Sequence, residues 1–255
     1  NNQSQLDIQI LPSNFILNDS AWSIGQSTIT YIPTNKLVKI NDFALNTEYQ
    51  SITINGRGSE LATDSLNIAL QNINLDYLLS YTEANKAISI MGPATGQAHI
   101  YSLFSEPMLE AQVQIPNGGL NSVYLGDVTA TAELDRENKT ILIHGQIVDS
   151  STHVVAQVEG KVIPANKWWG LDITCDSLDI HFIDAWTNGI ISNPQGRGYG
   201  HVKVEGQERK VWVTGRALAK NAQVTVPQIG VTLYMSDSIL LDSTAIHFPD
   251  IVVND

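Results

Sequence analysis

The chain has 255 residues, enough for one large or two ordinary domains and a substantial core. Its 26 acidic residues outnumber 14 basic ones for a net charge of −12, which argues against nucleic acid and against docking on anionic headgroups by charge alone. A single cysteine, Cys175, excludes an intrachain disulfide, which fits a reducing compartment or an envelope protein whose sheets need no staples. No apolar run approaches the ~18–20 residues of a membrane-spanning helix. Asn1 opens on polar residues with no signal peptide, so an anchor or export signal is expected outside this sequence.

In chain order, the dominant period is two. "SITING" places Ile52 and Ile54 on one face. "LNIAL" does the same with Leu66, Ile68 and Leu70, "VAQVEG" with Val158, and "LDITC" with Leu171 and Ile173. "HVKVEG" follows with Val202 and Val204, "KVWVTG" with Val211 and Val213, and "AQVTVP" with Val224 and Val226. Strict alternation marks antiparallel strands with one apolar and one wet face. Asn117-Gly118-Gly119 and Asn188-Gly189 read as turns between strands. Only Asn74–Lys86 and Ser177–Trp186 suggest short helices, with Asn74 and Ser177 as N-caps. The expected class is all-β.

The strand ending "AQVQIP" at Pro116 returns as "AQVTVP" at Pro227, with a looser "DIQILP" at Pro12. A spacing of 104 residues relates Pro12 to Pro116, Gly56 to Gly160 and Gly96 to Gly200. The leucine-rich stretches after Leu66 and Leu171 match with one residue of slippage. Aliphatic-glycine pairs, Ile24-Gly25, Leu125-Gly126 and Ile229-Gly230, follow each proline-ended strand. Self-similarity at a fixed period implies stacked modules, here 1–115, 116–226 and the start of a third at 227–255. A module of this size fits about seven short strands, and 14 to 16 strands in one stack would span roughly 65–80 Å. One apolar face cannot stand bare in water, so the sheet is expected to curl into a trough or barrel, or to pack on itself as a sandwich.

"ITINGRGSELATDSLNIALQNINLDYLL" (52–79) followed by "GPATGQAHIYSLFSEPMLEAQVQI" (92–115) resembles the repetitive region of the TamB group of AsmA-like envelope bridge proteins. Gly92 and Gly96 supply the glycine pair of that pattern, Pro107 and Leu109 stand near its Pro-Leu position, and Val113 and Ile115 close the unit. In the second cycle Gly196 and Gly200 match, and the proline is missing. The resemblance implies a β-taco, a long sheet bent into a trough lined with aliphatic side chains. It implies an inner-membrane-anchored protein crossing the periplasm of a Gram-negative envelope. There it would carry phospholipid towards the outer membrane, or assemble outer-membrane proteins with a barrel partner.

On that reading Ile52, Ile54, Leu66, Ile68, Leu70, Val158, Leu171, Ile173, Val202, Val204, Val211, Val213, Val224 and Val226 line a groove for phospholipid acyl chains. Each CH₂ taken from water contributes about 0.8 kcal/mol. The same alternation also fits the dry core of a sandwich. No catalytic residue, metal or cofactor is expected, and no basic cluster stands out that would hold anionic headgroups tightly. The alternatives come from other classes. Asp172, Asp176, Asp179 and Asp184 could serve a β-helix or β-sandwich polysaccharide-cleaving enzyme. Trp168, Trp169, Trp186 and Trp212 could be the stacking platforms of a carbohydrate-binding or adhesive module. The histidines, 99, 144, 153, 181, 201 and 247, show no metal-ligand spacing. His181 near Cys175 and Asp184 invites a nucleophile reading, against which a cysteine on strand spacing is a small core residue. The glycines of "GRGSE", "GPATG" and "QGRGYG" precede strands, so they read as bulge or turn glycines and not as phosphate loops.

Overall fold

A computed structural model describes residues 5–17, 19–75, 89–120, 123–186, 191–207, 210–242 and 246–247. The chain is one long, open antiparallel sheet. Its first strands are β1 (Leu6–Ile10), β2 (Ser13–Leu17), β3 (Ser20–Ile24), β4 (Ser27–Ile32), β5 (Leu37–Asn46), β6 (Ser51–Gly58) and β7 (Ser65–Asn74). After β8 (Ile90–Met91) and β9 (Pro93–Tyr101) come β10 (Met108–Leu120), β11 (Val123–Asp135), β12 (Thr140–Val148) and β13 (Val154–Ile163). The last are β14 (Trp168–Asp179), β15 (Ser192–Gln207), β16 (Lys210–Val226), β17 (Val231–Met235), β18 (Ser238–Leu241) and β19 (Ile246–His247).

Pairing follows the chain. β1 pairs with β4, and from there β5, β6 and β7 follow in order. β7 pairs with β9, and β9 through β16 each pair with the next strand. β18 and β19 continue beyond β16. The short strands β2, β3, β8 and β17 fill the strand ends of β5, β10 and β16. That makes 15 rungs in the stack, about 70 Å at the usual strand spacing. The sheet runs unbroken across residues 115/116 and 226/227.

Register repeats with the sequence. Gly96 faces Val113, and 104 residues on, Gly200 faces Ala217. Gly56 faces Leu66, and Gly160 faces Leu171, with the one-residue slip seen in the sequence. One repeat holds six rungs, β10 to β15, and not seven. The difference lies at Asn117-Gly118-Gly119, which is no turn: β10 runs straight through it and takes up the extra residue as a bulge.

That bulge belongs to a set. Asp42, Asn72, Asn117 and Asn221 all sit within strands at left-handed φ between 50° and 56°. Around each, burial reads in, out, out, in, as in Ile115, Pro116, Asn117, Gly118 and again in Ala219, Lys220, Asn221, Ala222. The extra residue is therefore always on the polar face. Its backbone N–H, freed from the ladder, donates to a side chain on the neighbouring strand or, for Asn221, just past its end. The acceptors are Asn55 Oδ1 for Asp42 (2.7 Å), Thr95 Oγ1 for Asn72 (3.1 Å), Asp127 Oδ1 for Asn117 (2.8 Å) and Ser236 Oγ for Asn221 (2.9 Å).

Helix is scarce among the described residues. The expected helix at Asn74–Lys86 falls almost wholly outside them, as does Asn188-Gly189. At Ser177–Trp186 the expectation of a helix from Ser177 is corrected: β14 continues through Asp179, and only His181–Trp186 forms a 3-10 turn. Register with β15 holds Leu178 and Asp179 opposite Gly198 and Arg197, and this pairing overrides the capping signal.

Removing the side chain that catches a freed amide should loosen the bulge. Asp127→Ala is expected to cost about 1 kcal/mol in denaturant unfolding and to speed hydrogen exchange at the Asn117 amide selectively.

Candidate functional site

Cross-strand register assembles the alternating apolar residues into continuous rows. One row runs Phe43, Ile54, Ile68, Ala98, Ala111, Ala132, Ile143, Gly160, Leu171, Val204, Val213, without a polar member from β5 to β16. Its ten steps span roughly 50 Å. The adjacent row runs Leu45, Ile52, Leu70, Gly96, Val113, Ala130, Gly145, Val158, Ile173, Val202, Gly215. Residues facing each other across antiparallel strands point to the same side of the sheet.

The groove candidates fall on this side. Ile54, Ile68, Leu171, Val204 and Val213 share the first row, and Ile52, Leu70, Val158, Ile173 and Val202 the second. Leu66 lies one row away, between Gly56 and Ile100. Val224 and Val226 lie past the Asn221 bulge, which turns both back to this side. Val211 faces Gly206, and its side chain lies outside the described set. None of the rows' alanines and glycines was expected as lining, since Ala and Gly carry little alternation signal of their own; Gly96 and Gly160 stood out only as repeat markers.

The opposite face is polar but for one alanine in a row from β6 to β16: Thr53, Ala69, Gln97, Gln112, Thr131, His144, Glu159, Asp172, Lys203, Thr214. Of the groove candidates described, only Leu66 and Val224 are buried; the rest are partly covered. On the margin near the Asn72, Asn117 and Asn221 bulges, Ile73, Ala94, Ile115, Val155, Ala156, Leu178 and Ala222 are 7% exposed or less, and Leu37, Leu66 and Thr140 are buried towards the other margin. The chain exposes 15349 Å², against about 11,000 Å² for a compact globular protein of 27.9 kDa. No second sheet covers the apolar rows among the described residues.

The competing constellations take other forms. Asp172 and Asp176 lie two pleats apart on β14, about 13 Å along the strand, beyond the separations that glycoside cleavage uses. They lie near histidines instead, Asp172 3.5 Å from His201 Nε2 and Asp176 3.3 Å from His153 Nε2. Asp179 Oδ1 accepts the backbone N–H of His181. His99 Nδ1 is 2.6 Å from Asn67 Oδ1, and His144 Nδ1 is 2.5 Å from Glu159 Oε2. No group of three metal-ligating side chains occurs among the described residues. An antiparallel single sheet is neither a parallel β-helix nor a sandwich.

The tryptophans form no row of platforms. Trp169 lies where a Gly206 side chain would be, and Trp168 likewise covers Gly170, so adjacent rings serve opposite faces. Trp212 Nε1 donates to Glu205 Oε2 at 3.3 Å. The side chain of Trp186 is outside the described set. Gly96 and Gly200 permit close strand approach: a Cβ at either would collide with the carbonyl of Gln112 or Arg216. A shallow hollow of about 470 Å³ on the polar face is lined by Gln97, His99, Tyr101, Glu110, Gln112 and His144 among others. Its two glutamates, Glu110 and Glu133, face each other, so it has no complementary charge pair.

Cys175 occupies a row position between Ala156 and Gly200 and packs with Val155 and Leu178. Burial pushes its thiol up, the opposite of what an attacking thiolate needs.

No protein-family model, curated protein or solved structure matches the chain.

The buried thiol sets a testable reactivity. Alkylation of Cys175 at pH 8 is expected to be at least about ten-fold slower than that of a free cysteine, and to rise to its plateau only at higher pH. A rate equal to that of free cysteine at pH 8 would contradict the packing described.

Proposed function

We propose that this chain is a periplasmic segment of a TamB-like, AsmA-type bridge protein, and that its apolar face is a groove for phospholipid acyl chains. The observation that carries the proposal is the pair of unbroken apolar rows, partly covered and long enough to hold an extended chain anywhere along about 50 Å. A dry core would be closed; these rows remain partly exposed in an unusually open molecule.

Two further features support it. The bulges at Asp42, Asn72, Asn117 and Asn221 all lengthen the polar face. Bulged strands bend, and extra length on the polar side favours curling towards the apolar side, as a trough requires. The lining is Phe43 followed by Ile, Val, Leu, Ala and Gly with no polar stop from β5 to β16, so a chain can slide without losing a specific contact. On this reading the protein is a passive conduit and not an enzyme. Its partners are phospholipid and an outer-membrane barrel protein, and its inner-membrane anchor lies outside these residues.

The test is native mass spectrometry after expression in a Gram-negative periplasm, with lipid extraction from the purified protein. Phospholipid should co-purify at one or more copies per chain. Ile68→Arg with Val204→Arg, two changes on one row, should abolish it while circular dichroism stays β. A wild-type protein free of lipid would overturn the reading, as would a folded double variant carrying lipid undiminished.

A further inference from the structure

The polar face changes character at β15 and β16. Residues 197–220 contain six of the chain's fourteen basic residues and only two acids, Glu205 and Glu208. In linear order they are dispersed; register gathers them. Arg197 faces Lys220 directly, and His201 faces Arg216, all four exposed. Like charges directly opposite are destabilising; Asp179 faces Arg197 from β14, where its Oδ1 accepts the His181 amide and no ion pair with Arg197 forms. Arg197 Nη1 donates to the Ser177 carbonyl at 3.2 Å, and Lys220 Nζ stands 4.3 Å from the centre of the Tyr199 ring. Among the described residues no carboxylate pairs with Arg197, Arg216 or Lys220. The other acids on the facing strand, Asp172 and Asp176, lie near His201 and His153.

Apolar side chains alternate with these cations on the same face. Leu218 lies opposite Ser238, Leu240 opposite Arg216, and Tyr234 opposite Gln223, and all three are exposed. The fold does not require this composition. One repeat earlier, β9 and β10 hold Pro93, Gln97, Gln112 and Pro116 where β15 and β16 hold Arg197, His201, Arg216 and Lys220, and Gln97 faces Gln112 as His201 faces Arg216.

We propose that the outer face of β15, β16 and β18 docks on an anionic lipid surface. Arg197, Arg216 and Lys220 meet the phosphates, while Leu218, Leu240 and Tyr234 reach the layer beneath. An extended, exposed sheet face with interspersed cations and apolar tips matches a charged plane above hydrocarbon. This corrects the expectation that no basic cluster is present. The docking face is the opposite side of the sheet from the apolar rows, so it stands or falls independently of the groove.

The experiment is vesicle co-sedimentation with mixed phosphatidylglycerol–phosphatidylcholine and with pure phosphatidylcholine vesicles, at low and high salt. Wild type should bind the anionic vesicles, release at high salt and ignore the neutral ones. Each lost cation should weaken binding about five-fold, so Arg197→Gln, Arg216→Gln and Lys220→Gln together should weaken it roughly 100-fold. Leu218→Ser with Leu240→Ser should weaken it further. Lys220→Gln alone, expected to weaken binding about five-fold, serves if the triple variant does not fold. Equal binding by wild type and Lys220→Gln or the triple variant would overturn the proposal. So would equal binding to neutral vesicles, or binding to a polyglutamate peptide in place of vesicles, which would assign the face to an acidic protein.

Discussion

Each strand of this ribbon sets its aliphatic residues against those of the next, and a slip of one residue in any pairing would carry a whole strand's side chains to the wrong face. Everything else rests on that register. It turns scattered Val-x-Val and Ile-x-Ile phrases into rows crossing eleven strands. It also separates those rows from the Thr, Gln, His and Glu ladders behind them. At four of the points where a strand takes an extra residue, the chain puts Asn or Asp there in the left-handed region. Those side chains tolerate this conformation better than most. The two-out pattern at Asn117 and Asn221 then restores the alternation on the far side, so Gly118 and Ala222 turn inwards again.

The same constraint explains where stability comes from. An open sheet with a single apolar face has little interior, and its buried residues gather along the two margins, with the larger apolar cluster on the one that carries the Asn72, Asn117 and Asn221 bulges. Val155, Ala156 and Leu178 pack there with Leu125, Ile147, Ile173 and Cys175. The rest of the apolar face relies on cross-strand contacts between partly covered neighbours. A protein of this kind spends its length on surface, and its unmet hydrophobic area is what a lipid chain would cover.

Much of this was legible in the sequence, and the omissions share a cause. Alternation marked the strands, and the spacing from Gly56 to Gly160 and from Gly96 to Gly200 marked the repeat, because glycine is needed where strands approach closely. Asn117-Gly118-Gly119 was misread because left-handed residues serve hairpin turns and bulges alike; only the pairing of β10 with β11 separates the two. Ser177 carried a capping signal that strand pairing overrode. A second likeness, "IPTNK" at Ile32–Lys36 and "IPANK" at Ile163–Lys167, falls outside the 104-residue period. Both are 3-10 turns ended by a left-handed lysine. The basic strip was invisible because Arg197 and Lys220 are far apart in sequence and adjacent only through register. Burial was equally hidden, since alternation reports which side a residue faces and not what covers it.

The central claim is that acyl chains lie along the rows. Photo-crosslinking tests it most directly, with a photoreactive residue placed at Ile143, at Leu171, or at the neighbouring outward positions His144 and Asp172, in cells of a Gram-negative host. The account predicts lipid adducts from Ile143 and Leu171 and none from His144 or Asp172. Adducts of equal yield from both faces, or none from the row positions in a folded protein, would contradict it.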